Sequence, residues 1–284
     1  MARPLIGFIL SLGKAVGPHR VEGDAVDVDG GQLSYESCGS GSQAIVLLHD
    51  GLIDASGFDE MWPILCKNFH VVRYDRRGYG KSPAAKGLYS QTDDLAAVIA
   101  AAKLERFALV GFSIGGSIAL DYALDHPQSV DRLVLVGSGA NGQTPSAAAN
   151  RRENRNFLPI LIGNVQGVAA NWAKDPWYIR RGDDAAKAKA LAIWQANPQN
   201  IRHLPTDPVR PGPPALPRLP GLQVPTLFLV GDHDFPDAQA NAEAAHALIP
   251  NSRLAMVANS GHALQLERPR EAADLIIDFV RAGH

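Results

Sequence analysis

Cysteine is scarce in this sequence, and the two that occur, Cys38 and Cys66, show neither CxxC nor Cys/His spacing. That excludes a cysteine-ligated zinc site, while a single optional pair is no disulfide framework and leaves the redox compartment open. Long hydrophobic runs are missing as well. A membrane-spanning helix needs about 20 apolar residues, and the N-terminal stretch Leu5 to Gly13 falls short of it. Lys14-Ala15-Val16-Gly17, which follows, supplies no clear cleavage site, so the stretch reads as a helix that packs on the domain or on a partner. A cytoplasmic location is expected, with export the alternative if residues 1–17 act as a signal. Excess charge of one sign is also absent: 27 Lys plus Arg face 29 Asp plus Glu, which leaves no field to gather nucleic acid or anionic lipid.

What is present is an ordinary globular composition, 46% hydrophobic and 20% charged over 284 residues, enough for one large α/β domain. Val26 to Glu36 alternates around Gly30-Gly31 and predicts a hairpin. Apolar runs follow at Ala44 to Leu48, His70 to Tyr74, Phe107 to Val110, Leu133 to Val136, Thr226 to Val230 and Arg253 to Val257. Such runs suit parallel strands covered on both faces. Helical stretches alternate with them: one entered through Thr92-Asp93-Asp94, then Ile114 to Asp125, Ala238 to Leu248 and Arg270 to Val280. The alternation stops between residues 139 and 220. Helical pattern there covers Arg152 to Trp172 and Asp183 to Trp194, and seven prolines between 205 and 220 predict an extended return linker. The expected organisation is an N-terminal extension (1–24), an α/β core (25–138 and 221–284) and an inserted helical cap (139–220).

Chemistry is concentrated at Gly111-Phe112-Ser113-Ile114-Gly115-Gly116, between the strand ending at Val110 and the following helix. A strand-to-helix turn this sharp strains the serine and leaves room only for glycine two residues either side, and the helix start adds free amides and a positive dipole end. The alternative, a phosphate loop, lacks its GK[ST] ending. A serine hydroxyl needs a base and an acid to orient it. Asp232 and Asp234 follow the strand Thr226 to Val230; Asp232, nearest the strand end, can serve the turn instead, which favours Asp234. Of nine histidines, His262 alone sits after the last strand and before a helix, where this architecture gathers reactive groups. The oxyanion needs N–H donors: Ile114 for one and, from His49-Asp50-Gly51-Leu52, Gly51 for the other, with Leu52 the alternative. His49 braces that loop, and the Asp50 carboxylate is expected to turn away from the hole.

These segments, together with Asp75-Arg76-Arg77-Gly78-Tyr79-Gly80-Lys81-Ser82 and Gly261-His262, resemble the α/β-hydrolase superfamily from about residue 25 to the end. Gly-Phe-Ser-x-Gly-Gly is similar to its capped esterase, lactonase and cofactor-free haloperoxidase-like branch. The resemblance implies a mostly parallel sheet flanked by helices, a catalytic triad of Ser113, Asp234 and His262, and a structural role for the Asp75 segment. Members with an aspartate nucleophile are disfavoured by Ser113. The activity expected is hydrolysis of a small carboxylic ester or lactone through an acyl-enzyme, without cofactor or metal, by a monomer or homodimer acting on a small molecule. Two alternatives stay open: carbon-carbon bond hydrolysis of a diketone-like substrate, and a small-ligand receptor on the same fold. Leu52, Trp172, Trp177, Tyr178 and Trp194 are candidates for the substrate pocket, against a plain role for the aromatic residues in packing the cap helices. Arg151, Arg152, Arg155, Arg180 and Arg181 are candidates to meet a substrate carboxylate, against a plain solvated role.

Overall fold

A single eight-stranded sheet organises the chain, in the order β1-β2-β4-β3-β5-β6-β7-β8. The computed structural model describes residues 22–202, 209 and 212–282; the apolar N-terminal stretch lies outside them. The expected hairpin forms from β1 (Glu22–Val28) and β2 (Gly31–Cys38), paired antiparallel. Strands β3 (Ala44–Leu48), β4 (His70–Tyr74), β5 (Phe107–Phe112), β6 (Val130–Val136), β7 (Thr226–Gly231) and β8 (Ser252–Val257) run parallel. Strands β3, β5 and β7 are buried along their whole length, which explains why they read as unbroken apolar runs.

Helices α1 (Trp62–Cys66), α2 (Gln91–Ala101) and α3 (Ile114–Asp125) fall between the first strands; α7 (Pro236–Leu248), α8 (Leu264–Glu267) and α9 (Pro269–Arg281) follow β7. Between β6 and β7 lie α4 (Ala147–Phe157), α5 (Val165–Lys174) and α6 (Asp184–Ala196), with no strand among the described residues. One apolar cluster fills the sheet face under α2, α3 and α7, and a second fills the face under α1 and α9. A third joins Val168, Trp172, Tyr178 and Trp194 of the α4–α6 segment to Leu52, Ile53 and Ala263.

Three local expectations need correction. The helix predicted over Arg152 to Trp172 is broken: α4 ends at Phe157, a 3-10 turn occupies Leu158–Ile162, and Gly163 takes φ +71° before α5 begins. Pro159 lacks the amide that would continue the helix. The start of α2 is capped by Ser90, whose hydroxyl accepts from Asp93 N, rather than by Thr92. Within the proline-rich return, Leu216–Gly221 winds into a 3-10 turn instead of extending; residues 203–208, 210 and 211 lie outside the described set.

Cys38 and Cys66 are joined, with Cα atoms 5.5 Å apart and a sequence separation of 28. The bridge clasps the end of β2 to α1. A loop of this size contributes about 2–4 kcal/mol, so a Cys38→Ser, Cys66→Ser variant should lose about that much unfolding free energy and unfold at a lower urea concentration. Equal denaturation midpoints with and without the bridge would count against it.

Candidate active site

The turn between β5 and α3 holds a reactive side chain on strained backbone. Ser113 stands at φ 53°, ψ −120°, a region that residues with a Cβ avoid. Its neighbours must be bare for steric reasons: a Cβ on Gly111 would lie 2.3 Å from Gly115 O, and one on Gly115 would lie 2.5 Å from His49 O. Helix α3 can therefore press its first turn against β5 and the loop after β3.

Asp234 and His262 arrive from the loops after β7 and β8. His262 Nδ1 lies 2.6 Å from Asp234 Oδ1, and both side chains are buried. The carboxylate fixes the tautomer by accepting from Nδ1–H. Burial opposes protonation of the ring, but Asp234's charge and hydrogen bond outweigh it and hold His262 above the usual histidine value; Asp50 adds to the rise and Arg152 opposes it. Asp232 faces the other way. It meets His233 Nδ1 at 2.7 Å and accepts from Ser260 N at 3.1 Å, serving the turn.

Behind the dyad sits Gly137, at φ +56°, where a Cβ would fall 2.9 Å from both Asp234 Oδ2 and His262 Nδ1. Sequence reasoning missed it, although a glycine directly after β6 was the available signal.

The loop after β3 is ordered by its own polar groups. Buried His49 donates from Nδ1 to Asp50 O (2.8 Å) and accepts at Nε2 from Arg76 N (2.9 Å), and burial, then the Arg76 charge, hold it well below the usual histidine value. The Asp50 carboxylate accepts from Leu52 N (2.6 Å), Ile53 N (2.8 Å) and Gln265 Nε2 (2.7 Å), so it is turned into the loop. The Leu52 amide is thereby spent. The Gly51 and Ile114 amides donate to no acceptor among the described residues, and the two residues adjoin: a Cβ on Gly51 would sit 3.6 Å from Ile114 Cγ2.

The Asp75 segment is structural in its contacts. Asp75 accepts from Ala55 N (2.9 Å) and Lys81 N (2.8 Å), Ser82 Oγ donates to Asp75 O (2.6 Å), and Arg77 pairs with buried Asp94 at 2.7 Å.

Ser113, His262, Gly51 and Ile114 all line one cavity of ≈ 680 Å³, walled by Leu52, Trp172, Tyr178 and Phe235. That size suits a small molecule. A chamber of ≈ 540 Å³ adjoins it past Ile114 and Ser117. Two expected pocket residues lie elsewhere. Trp194 is buried behind Tyr178, donating its indole N–H to Leu52 O at 2.7 Å, and Trp177 is 40% exposed outside the lining. The wall is completed by Tyr178, which the sequence offers beside the tryptophans, and by Phe235, which no spacing marked.

Over residues 44–269 the sequence matches the family model described as the alpha/beta hydrolase fold. The chain belongs to the α/β-hydrolase family. Among relatives of this hydrolase is a Pseudomonas putida protein named 2-hydroxy-6-oxononadienedioate/2-hydroxy-6-oxononatrienedioate hydrolase 2, 28% identical over 270 residues, covering 88% of this chain and 92% of the relative. The human serine hydrolase BPHL is 27% identical over 269 residues, covering 90% and 85%. A solved structure of Est816, described as an N-acyl homoserine lactone degrading enzyme, superposes with a TM-score of 0.70 at 27% identity, covering 90% of this chain and all of that one.

In this hydrolase the segment between β6 and β7 also holds the histidine loop. His262 N donates to Trp177 O and Ala263 N to Tyr178 O, each at 2.8 Å. Glu267 spans the same junction, accepting from Gly261 N (2.7 Å) and Arg180 N (2.8 Å). Burial pushes its carboxyl up to about 7, against the pull of those amides. An acid whose folded pKa exceeds its unfolded value binds its proton more tightly when folded, so stability is lost as pH rises from the ordinary 4.5 through about 7. Glu267→Gln should flatten the melting-temperature profile across about pH 5 to 8; an equally steep profile in the variant contradicts this.

Proposed function

We propose that the protein is a serine hydrolase of small carboxylic esters or lactones. The observation that carries this is the conjunction in one cavity of a strained serine at a helix start, a histidine held by a buried aspartate, and two unspent amides. His262, oriented by Asp234, accepts the Ser113 hydroxyl proton at Nε2 as the Ser113 oxygen attacks the carbonyl carbon. The tetrahedral oxyanion accepts from the Gly51 and Ile114 amides. His262 then protonates the leaving alcohol, and afterwards activates the water that releases the acid and regenerates Ser113. No step draws on a metal or cofactor. The likeness to human serine hydrolase BPHL and to lactone-degrading Est816 supports the reading.

The Pseudomonas putida relative's name favours one second reading, carbon-carbon bond hydrolysis by the same residues. A panel of p-nitrophenyl esters of graded chain length, lactones and a diketone separates the two. Ser113-dependent release of alcohol or hydroxy acid supports ester or lactone cleavage; cleavage of the diketone alone overturns it. A disulfide persists best in an oxidising compartment, so the Cys38–Cys66 bridge favours export over the cytoplasm.

A further inference from the structure

Of Arg151, Arg152, Arg155, Arg180 and Arg181, only Arg152 lines the cavity. Its guanidinium carbon lies 4.0 Å from the Phe235 ring centroid and 5.7 Å from that of Trp177, and the Phe235 and His262 rings are 4.4 Å apart. The cation therefore stands one aromatic ring away from the histidine. Stacking fixes the plane of the guanidinium and leaves its N–H edges for a planar acceptor. No carboxylate among the described residues pairs with Arg152, and its buried Nε has no hydrogen-bond partner.

Two further residues of the cavity wall, Arg76 and Trp172, carry buried donors without a partner. Arg76, 6% exposed, spends Nη2 on Asp50 O at 2.7 Å and stacks on Tyr79, while its Nε has no partner. Trp172 Nε1 is buried and unpaired as well. Buried donors left without acceptors are costly and call for an explanation. Three acids share the lining: Asp50, Glu153 and Asp237. Asp50 is bound into its loop, Asp237 accepts from Ser146 N and Oγ, and Glu153 is exposed. None of the three answers Arg152.

We infer that Arg152 receives a carboxylate carried by the substrate, so that the molecule cleaved at Ser113 is an acid-bearing ester or lactone, such as the half-ester of a short dicarboxylic acid. This rests on the serine-hydrolase reading above. A charge-assisted pair of this kind is worth about 10- to 100-fold in binding.

The test compares two p-nitrophenyl esters of equal chain length, the monoanionic glutarate half-ester and the neutral valerate. Wild-type kcat/KM favours the glutarate by at least about 10-fold. In Arg152→Met the glutarate-to-valerate ratio falls by that factor, mainly through KM for the glutarate, and Arg152→Lys restores part of it. An unchanged ratio in Arg152→Met, or a wild-type preference for valerate, overturns the inference. If neither ester is turned over, the hydrolase reading fails, and binding is still measured on its own. Glutarate should raise the unfolding temperature of wild type and of Ser113→Ala, but not of Arg152→Met. Equal shifts in all three, or none in any, also overturn it.

Discussion

Ser113→Ala should lower kcat/KM for a reactive p-nitrophenyl ester by at least about 10⁴-fold while leaving the fold intact. The size follows from what is removed: the acyl-enzyme route disappears, and only the amides of Gly51 and Ile114 and the cavity remain to favour attack by water. Because Ser113 is held at φ 53°, alanine keeps the backbone strain and glycine relieves it. Strain of this kind costs about 1–3 kcal/mol, partly offset by the extra freedom of glycine in the unfolded chain. Ser113→Gly should therefore be inactive yet more stable than Ser113→Ala by about 1 kcal/mol. Urea unfolding of the two variants beside wild type checks it, and a less stable glycine variant contradicts it. Such a result would mean that the turn is not strained.

Asp234→Asn should cost about 10³- to 10⁴-fold in kcat with little change in structure. Asparagine presents an N–H to His262 Nδ1 or forces the ring to turn, and either leaves the base in the wrong tautomer. The pH profile separates this from a merely structural loss. In wild type, activity falls on acidification as His262 gains its proton, with a midpoint above the ordinary 6.5 because Asp234 favours the charged ring. In Asp234→Asn that support is gone, and the midpoint moves down. A midpoint that stays where it was, with activity lost, shows that Asp234 does not act through His262.

Much of the core was legible because its signals are local. Strand β3 and helix α3 have the bounds that the apolar runs predict, since burial on both faces leaves no other pattern available. The elbow was legible for a steric reason, as the close approach of Gly111 to Gly115 and of Gly115 to His49 tolerates no side chain. What sequence could not reveal depends on contacts far apart in the chain. The Cys38–Cys66 pair has no motif. Trp172 and Trp194 look alike in sequence, but one lines the cavity and the other ties to Leu52 O. Arg76 sits in a turn motif whose neighbours Asp75 and Arg77 are structural, and its unpartnered Nε emerges only when the loops after β3 and β4 meet. Among five candidate arginines, the packing of α4 against Phe235 distinguishes Arg152.

Ser113 is the proposed nucleophile, activated by His262, and covalent trapping tests that most directly. After brief exposure to a fluorophosphonate, intact-mass and peptide analysis should find one adduct per chain, on Ser113, formed far more slowly in His262→Ala. An adduct on another residue, or an unmodified Ser113 in protein that hydrolyses esters, would contradict it.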